Sequence, residues 1–464
     1  MAACARPTAS SATPAVRPAR SPVAFAVVRP CRTRRTVAMC PILGGRPRLL
    51  DAGPVKRSDG PMIGRHRAAL FATSTMTGFG IASWITRTPA VRDELGASIE
   101  TMGIVLLGLS VGSMIGILSA GVLVRRLGTR PLIVLGGALP VVGMLLVAVL
   151  APAQLAVGVW AGLFCIGFGC GLAEIGLNVE AAAVERQLSR PVVPVLHACF
   201  SLGTVLGGAT GIALTAARTP VIVHLLVATA VMAGLAVFAA VNLRPVDRAT
   251  PESTTTPASA SATALVAPRL RSVLTLQVLL IAVITLAMAF AEGAASDWLP
   301  LLMTTDHDAP EAVGSLVFTG FALAMFVGRI AGTPLVARFG RVAVIRVCAA
   351  VGAVGVLLVV VSPNPVLAAA AAGVWGLGIA LGFPLAISAA GDHPTDGDRR
   401  VSVVATAGYV AFLAGPPALG FLGEHLGLQT AMLVPAALLV AALLAAPAVR
   451  ARTAFEELRP APLG

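Results

Sequence analysis

Lysine is almost missing: the only one among 464 residues is Lys56. A phosphate-cradling P-loop ends its glycine run on a lysine. Lys56 stands instead in Gly53-Pro54-Val55-Lys56-Arg57, so no ATP-hydrolysing module lies in this chain. A pyridoxal Schiff base and an intramembrane lysine are excluded equally. Charge as a whole is scarce, with 12% charged residues against the roughly 25% of a soluble domain. Tyrosine occurs once and tryptophan 4 times, a modest platform for stacking sugar rings: Trp84, Trp160, Trp298, Trp375 and Tyr409. No Cys-x-x-Cys or Cys/His spacing points to a metal, and no cofactor is implied. Cys165, Cys170, Cys199 and Cys348 lie in apolar segments and read as small packing residues.

What fills the chain is apolar. The hydrophobic share is 57% before the 48 glycines are counted, and the mean hydropathy is +0.89. A soluble protein of this composition would expose large sticky surfaces, so the chain belongs in a membrane. The net charge of +13 is mostly a property of residues 1–61, where ten Arg and Lys56 face Asp51 and Asp59. The remainder is nearly balanced, which removes the nucleic-acid reading. Residues 1–61 form a basic, acid-poor extension without a long apolar run. It reads as a disordered cytosolic extension or an upstream start preceding Met62, the alternative being a transit peptide.

From Met62 onward, apolar stretches long enough to cross a hydrocarbon core of about 30 Å recur. They fall at 67–87, 99–123, 131–151, 155–183, 195–217 and 220–243, then at 272–298, 312–337, 342–362, 364–390, 401–423 and 428–448. Lipid forces each span to satisfy its own backbone, so these are helices. With both termini inside, one set of loops carries Arg125, Arg126 and Arg130, then Arg186 and Arg190, then Arg338 and Arg341, then Arg399 and Arg400. The opposite loops include an acidic stretch with Asp306, Asp308 and Glu311. The positive-inside rule puts both termini in the cytoplasm of a multi-pass cell-membrane protein. The expected organisation is a bundle over 62–243, a Pro/Ser/Thr-rich cytoplasmic linker over 244–271, a second bundle over 272–450 and a cytoplasmic tail over 451–464.

An offset of 212 residues superimposes parts of the two halves. Gly108 falls on Gly320, Gly116 on Gly328, Leu123 on Leu335, Arg126 on Arg338, Gly128 on Gly340 and Gly143 on Gly355. Ala82-Ser83-Trp84 matches Ser296-Asp297-Trp298 with a small gap, and Trp160 matches Trp375. Parallel six-helix repeats mark one transporter architecture. At this point the chain resembles the major facilitator superfamily, whose loop between helices two and three reads G-x-L-x-D-R-x-G-R-R/K. Here that motif is carried by Gly121, Leu123, Arg125, Arg126, Gly128 and Arg130. A weaker second copy runs from Thr333 through Leu335, Ala337, Arg338, Gly340 and Arg341. The resemblance implies an all-α membrane protein of twelve helices in two pseudo-symmetric six-helix bundles, and a gating role for these loops. The family's acidic position is Arg125 in one copy and Ala337 in the other, so its charge-relay latch must be wired differently. Plain positive-inside topology accounts equally well for each arginine.

Finer features resemble a poorly characterised bacterial subgroup: Trp84 followed by Arg87-Thr88-Pro89, Gly176-Leu177-Asn178-Val179-Glu180, and Glu292 through Trp298. Ionisable groups in a span cost at least about 2.5–3.5 kcal/mol on insertion scales, so each is a functional candidate. Glu174 and Arg329 come from opposite halves at similar depth and are expected to approach each other in one state and part in another. Asn178 shares the face of Glu174, and Glu174 is a candidate proton carrier. Glu292 and Asp297 add a second carboxylate pair, and Trp84 and Trp298 read either as cavity wall or as aromatic belt. The substrate pathway is thus expected to include Trp84, Glu174, Asn178, Glu292, Asp297, Trp298 and Arg329.

The expected function is secondary active transport of a small polar solute by a monomer in a lipid bilayer, coupled to a proton and working by alternating access. The alternatives are a transport-inactive membrane sensor or assembly factor, and a drug or metabolite efflux antiporter. An enzyme is not expected, because no acidic D-x-x-D or histidine cluster faces a membrane surface.

Overall fold

The computed structural model describes residues 60–188, 190, 192–244, 274–393 and 395–450. Most of the basic extension and of the linker, and the whole C-terminal tail, lie outside the described residues.

The apolar stretches are helical. The first six are α1 (Gly60–Ile85), α3 (Ile99–Leu127), α4 (Thr129–Leu150), α5 (Ala156–Leu188), α6 (Val193–Ala216) and α7 (Val221–Asn242). A short helix α2 (Thr88–Leu95), not expected from hydropathy, follows α1. The second half holds α8 (Leu276–Thr305), α9 (Glu311–Phe339), α10 (Arg341–Val361), α11 (Pro365–Ile379), α12 (Gly382–Gly391) and α13 (Gly397–Leu426). It ends with α14 (Leu428–Ala431), α15 (Leu433–Ala445) and a 3₁₀ turn at Ala446–Val449. Two expected spans are interrupted, the tenth by a turn at Ala380–Leu381 and the twelfth at Met432. Counted by length and apolar composition, the described residues supply 12 membrane spans.

Local chemistry fixes several boundaries. The Ser98 side chain accepts from the Thr101 N–H at 3.1 Å and starts α3, as the Asn364 side chain accepts from Val366 N–H and starts α11. Gly128 and Gly340 stand between α3 and α4 and between α9 and α10 with φ of +89° and +79°. That conformation costs glycine nothing and other residues dearly. The repeated glycine of the loop motif is thereby explained in both copies.

The halves fold as matching bundles. α3 packs on α5, α4 on α5 and α1 on α6, and the second half repeats this with α9 on α11, α10 on α11 and α8 on α13. Small residues let backbones approach: a Cβ on Gly112 would stand 2.2 Å from the Phe164 carbonyl oxygen. Without a hydrophobic drive between helices in lipid, such close packing holds the bundle together. Trp84, Trp298, Trp375 and Phe321 are the largest fully buried side chains.

Between the bundles the contacts gather at one end, opposite the ends that carry Met62 and Arg450. There α3 crosses α13 and α6 crosses α9. We call this the distal end. At the other end no comparable contact joins α5 to α12 among the described residues.

Candidate functional site

Glu174 and Asn178 follow each other by one turn on α5. Gly169, Ala173 and Gly176 face α4, and Gly167 and Gly171 face α3, which leaves Glu174 directed away from both. Its side chain is exposed, and its charge acts on the Tyr409 phenol of α13 in the other bundle. Glu174 thus looks into the space between the bundles. The Asn178 side chain donates to the Glu174 carbonyl at 2.8 Å, a local bond within α5.

Arg329 is at bonding distance from Glu292, not Glu174. Its Nη2 donates to Glu292 Oε1 at 3.2 Å and to Oε2 at 3.4 Å, joining α9 to α8 within one bundle. Both side chains are partly open, and Arg329 also acts electrostatically on His197 of α6 in the facing bundle. Asp297, about two turns from the distal end of α8, is half-buried. Among the described residues neither the Asp297 nor the Glu174 carboxyl has a side-chain hydrogen bond or ion pair. Next to Asp297 by one turn, Gly293 lets the Phe412 ring approach, with a Cβ there standing 3.3 Å from Phe412 Cδ1.

Trp84 and Trp298 occupy neither position expected of them. They are 1% and 0% exposed, so in this state they form neither a cavity wall nor a lipid-facing belt. Both lie toward the distal ends of their helices, Trp84 at the last turn of α1 and Trp298 about two turns from the end of α8. Burial of the large ring wins over the interfacial preference, even though the Trp298 indole N–H is left without a hydrogen-bond partner.

The loop arginines divide. Arg341 pairs with Asp392 and also donates to Ser388 Oγ at 3.2 Å, tying α10 to α12. It lines a cavity of about 730 Å³ together with Arg329, Gly332, Phe383 and Ser388. Arg338 lies over the Phe339 ring at 5.3 Å. Gly121 sits in the last two turns of α3, followed by Arg125 and Arg126, with Arg130 just inside α4. These three arginines are exposed, and among the described residues they make no ion pair. In the first bundle the equivalent connection is made by Glu180, which accepts from Thr129 Oγ1 at 2.5 Å. The other carboxylate oxygen lies 3.0 Å from His66 Nε2, with both side chains buried. The His66 Nδ1 accepts from the Arg244 backbone N–H at 3.1 Å.

At the distal end the bundles close on each other through small residues and polar ties. A Cβ on Gly103 would stand 2.7 Å from the Pro416 carbonyl oxygen, and Gly420 lies directly across. Glu424 accepts from the Ile99 N–H at 2.8 Å at the start of α3. The Ser315 hydroxyl donates to the Thr86 carbonyl at 3.0 Å. Arg87, 2% exposed, donates from Nε to His224 Nδ1 at 2.8 Å and from Nη2 to the Thr219 carbonyl at 3.1 Å. Its Nη1 reaches Glu311 of the second bundle at 3.8 Å. The sequence offered one signal for this residue, a charged side chain at the end of the expected span 67–87, within Trp84 to Pro89.

The comparisons agree with this architecture. The Major Facilitator Superfamily model matches residues 3–184 and 283–464. An uncharacterized transporter of Sinorhizobium fredii, y4wD, is 31% identical over 350 residues, covering 75% of this chain and 89% of that protein. The membrane protein MosC of Rhizobium meliloti is 24% identical over 77% of this chain and 84% of its own length. Among solved structures, the nucleoside transporter NupG superimposes with a TM-score of 0.66 at 14% identity, covering 82% of this chain and 98% of that one. A bacterial homolog of the human lysosomal transporter Spinster, in an inward-facing and occupied conformation, superimposes at 0.67 and 11% identity over 84% and 97%.

Proposed function

The chain belongs to the major facilitator superfamily of membrane transporters, and we propose that it moves a small polar solute by proton-coupled alternating access. The observation that carries this reading is the asymmetry of the inter-bundle contacts. Backbone-close packing joins the bundles at the distal end, while the Glu174 side chain, farther from it, is exposed. Rocking the bundles about the α3–α13 and α6–α9 contacts would exchange the sealed and open ends. With basic loops inside, the state described is open to the cytoplasm of a cell membrane.

Two carboxyls without protein partners, Glu174 and Asp297, stand on opposite bundles. An ionisable group within a membrane span is costly unless it serves a function, so each would take a proton or the donor groups of a solute. Arg329, already engaged by Glu292, moderates the field between them. An anionic solute would meet this excess of negative charge, so the reading favours an uncharged or cationic one with several hydrogen-bond donors.

The test is a thermal-shift screen of the purified protein against a metabolite library at two pH values, because a ligand that binds the native state raises the melting temperature. A hit is then followed by uptake into proteoliposomes with and without a proton gradient. Gradient-driven uptake that is lost in Glu174→Gln supports the reading. Binding without any uptake would leave the protein a sensor.

A further inference from the structure

We propose that a proton-binding site at Glu94, beside Arg87 and Glu311, sets the equilibrium of the distal gate. The proposal rests on the alternating-access reading and adds to it a control site away from the inter-bundle cavity.

The site lies in a polar cavity of about 750 Å³ at the distal end, between the two bundles. α2 supplies Asp93 and Glu94, preceded by Arg87; the α6–α7 connection supplies Arg218 and Thr219; α9 supplies Glu311. From α7 comes His224, whose Nδ1 accepts from Arg87 and is therefore unprotonated. Arg92 is engaged by Asp93 at 3.8 Å and by the Ala97 carbonyl at 3.1 Å.

One guanidinium is thus offered two carboxylates. In the closed arrangement Arg87 is pinned by His224 and Thr219 and gives its free edge to Glu311. Glu94 Oε2 is left buried without a hydrogen-bond partner. The side chain as a whole is partly open, so that oxygen carries part of the desolvation cost of a buried acceptor. Burial pushes the Glu94 carboxyl above the usual carboxylate range, Arg87 pulls it back and Glu311 raises it again. When the second bundle swings away, Glu311 leaves, water enters and Arg87 is free to serve Glu94 as an anion. Closing therefore transfers a proton from the distal solution to the Glu94 carboxylate, and reopening returns it. The proton is not carried across; it biases which end is sealed. Lower distal pH favours closure, with the closed-to-open ratio rising by up to about tenfold per pH unit for one proton.

The experiment needs no solute. Spin labels are placed at Ala153 and Asp308, on distal loops of the two bundles, in full-length protein whose native cysteines are replaced by serine. Distances are measured in nanodiscs at about pH 5 and about pH 8, either side of a raised carboxyl value. The parent is expected to show a short and a long distance, with the short one gaining at low pH. Glu94→Gln mimics the protonated acid and is expected to hold the short distance at both values. Glu311→Gln is expected to enlarge the long population at both. A pH response in Glu94→Gln equal to that of the parent overturns the proposal, as does exchange between two distances that ignores pH. One fixed distance under every condition overturns alternating access itself, and this proposal with it.

Discussion

Asp392 stands 212 residues after Glu180 and makes the same connection in the second bundle that Glu180 makes in the first. Each carboxylate reaches from the end of the bundle's fourth span to the first residue of its third. That partner is Thr129 in one repeat and Arg341 in the other. The chemistry differs with burial. Glu180 is buried with a hydroxyl and a histidine, while Asp392 is half exposed with an arginine.

Removing the two should therefore cost different amounts. Glu180→Ala strands the Thr129 hydroxyl and the His66 ring away from water, a loss of about 1–3 kcal/mol. Asp392→Ala breaks a solvent-screened pair and should cost under about 1 kcal/mol. Unfolding midpoints of both variants in one detergent decide the matter; the reverse order would refute the argument that burial sets the cost.

Arg329 should couple to Glu292 and not to Glu174 in the state described here. In a double-mutant cycle on stability, Arg329→Ala with Glu292→Ala is expected to be non-additive, within about 1 kcal/mol because both groups are partly solvated. Arg329→Ala with Glu174→Ala should add within about 0.5 kcal/mol. Strong coupling to Glu174 instead would mean that the cycle reports a different conformation, one in which the two half-bundles bring these groups together.

The twelve spans were legible because lipid demands long apolar runs, while the Gly128 and Gly340 repeat and the loop arginines took on meaning through the internal repeat and the family resemblance. The site was legible only in part. Glu174, Asn178, Glu292, Asp297 and Arg329 stand out as polar residues in apolar runs, but periodicity does not say which partner each will meet. The Arg329–Glu292 pair joins helices that no spacing rule brings together. Trp84 and Trp298 misled because a tryptophan near a span end has the same sequence signature whether it faces lipid or the core. Arg87 immediately precedes and Glu94 lies on α2, an eight-residue helix between spans.

Distal closure depends on the absence of a side chain at Gly103. A Cβ there would meet the Pro416 carbonyl oxygen at 2.7 Å and the Gly420 Cα at 3.0 Å, both backbone atoms that cannot swing aside. Gly103→Leu is expected to wedge α3 from α13 and lengthen the distance between labels at Ala153 and Asp308. Gly320→Ala, with nothing within 4 Å of the new methyl, should leave that distance as it is. Equal behaviour of the two variants would show that the α3–α13 contact does not form the seal.

Stability should also register Glu94. Its carboxyl is raised above the ordinary value of 4.5 in the folded protein, with burial the largest cause. A raised acid means that the native state holds its proton where the unfolded chain has released it. The folded protein therefore binds more protons between the two values, and stability falls as pH rises through that window. Below the unfolded value both states are protonated and the penalty vanishes; above the folded value it is complete. Glu94→Gln removes the ionisation, so its unfolding midpoint is expected to exceed that of the parent near neutral pH. The two should converge as pH falls below about 4, where the acid is protonated in either state. Glu94 is partly open, which keeps the difference small, and Glu311→Gln should enlarge the effect of Arg87 on Glu94 and lower the carboxyl again. A Glu94→Gln protein less stable than the parent at neutral pH would show that Arg87 already stabilises the ionised form when the gate is closed.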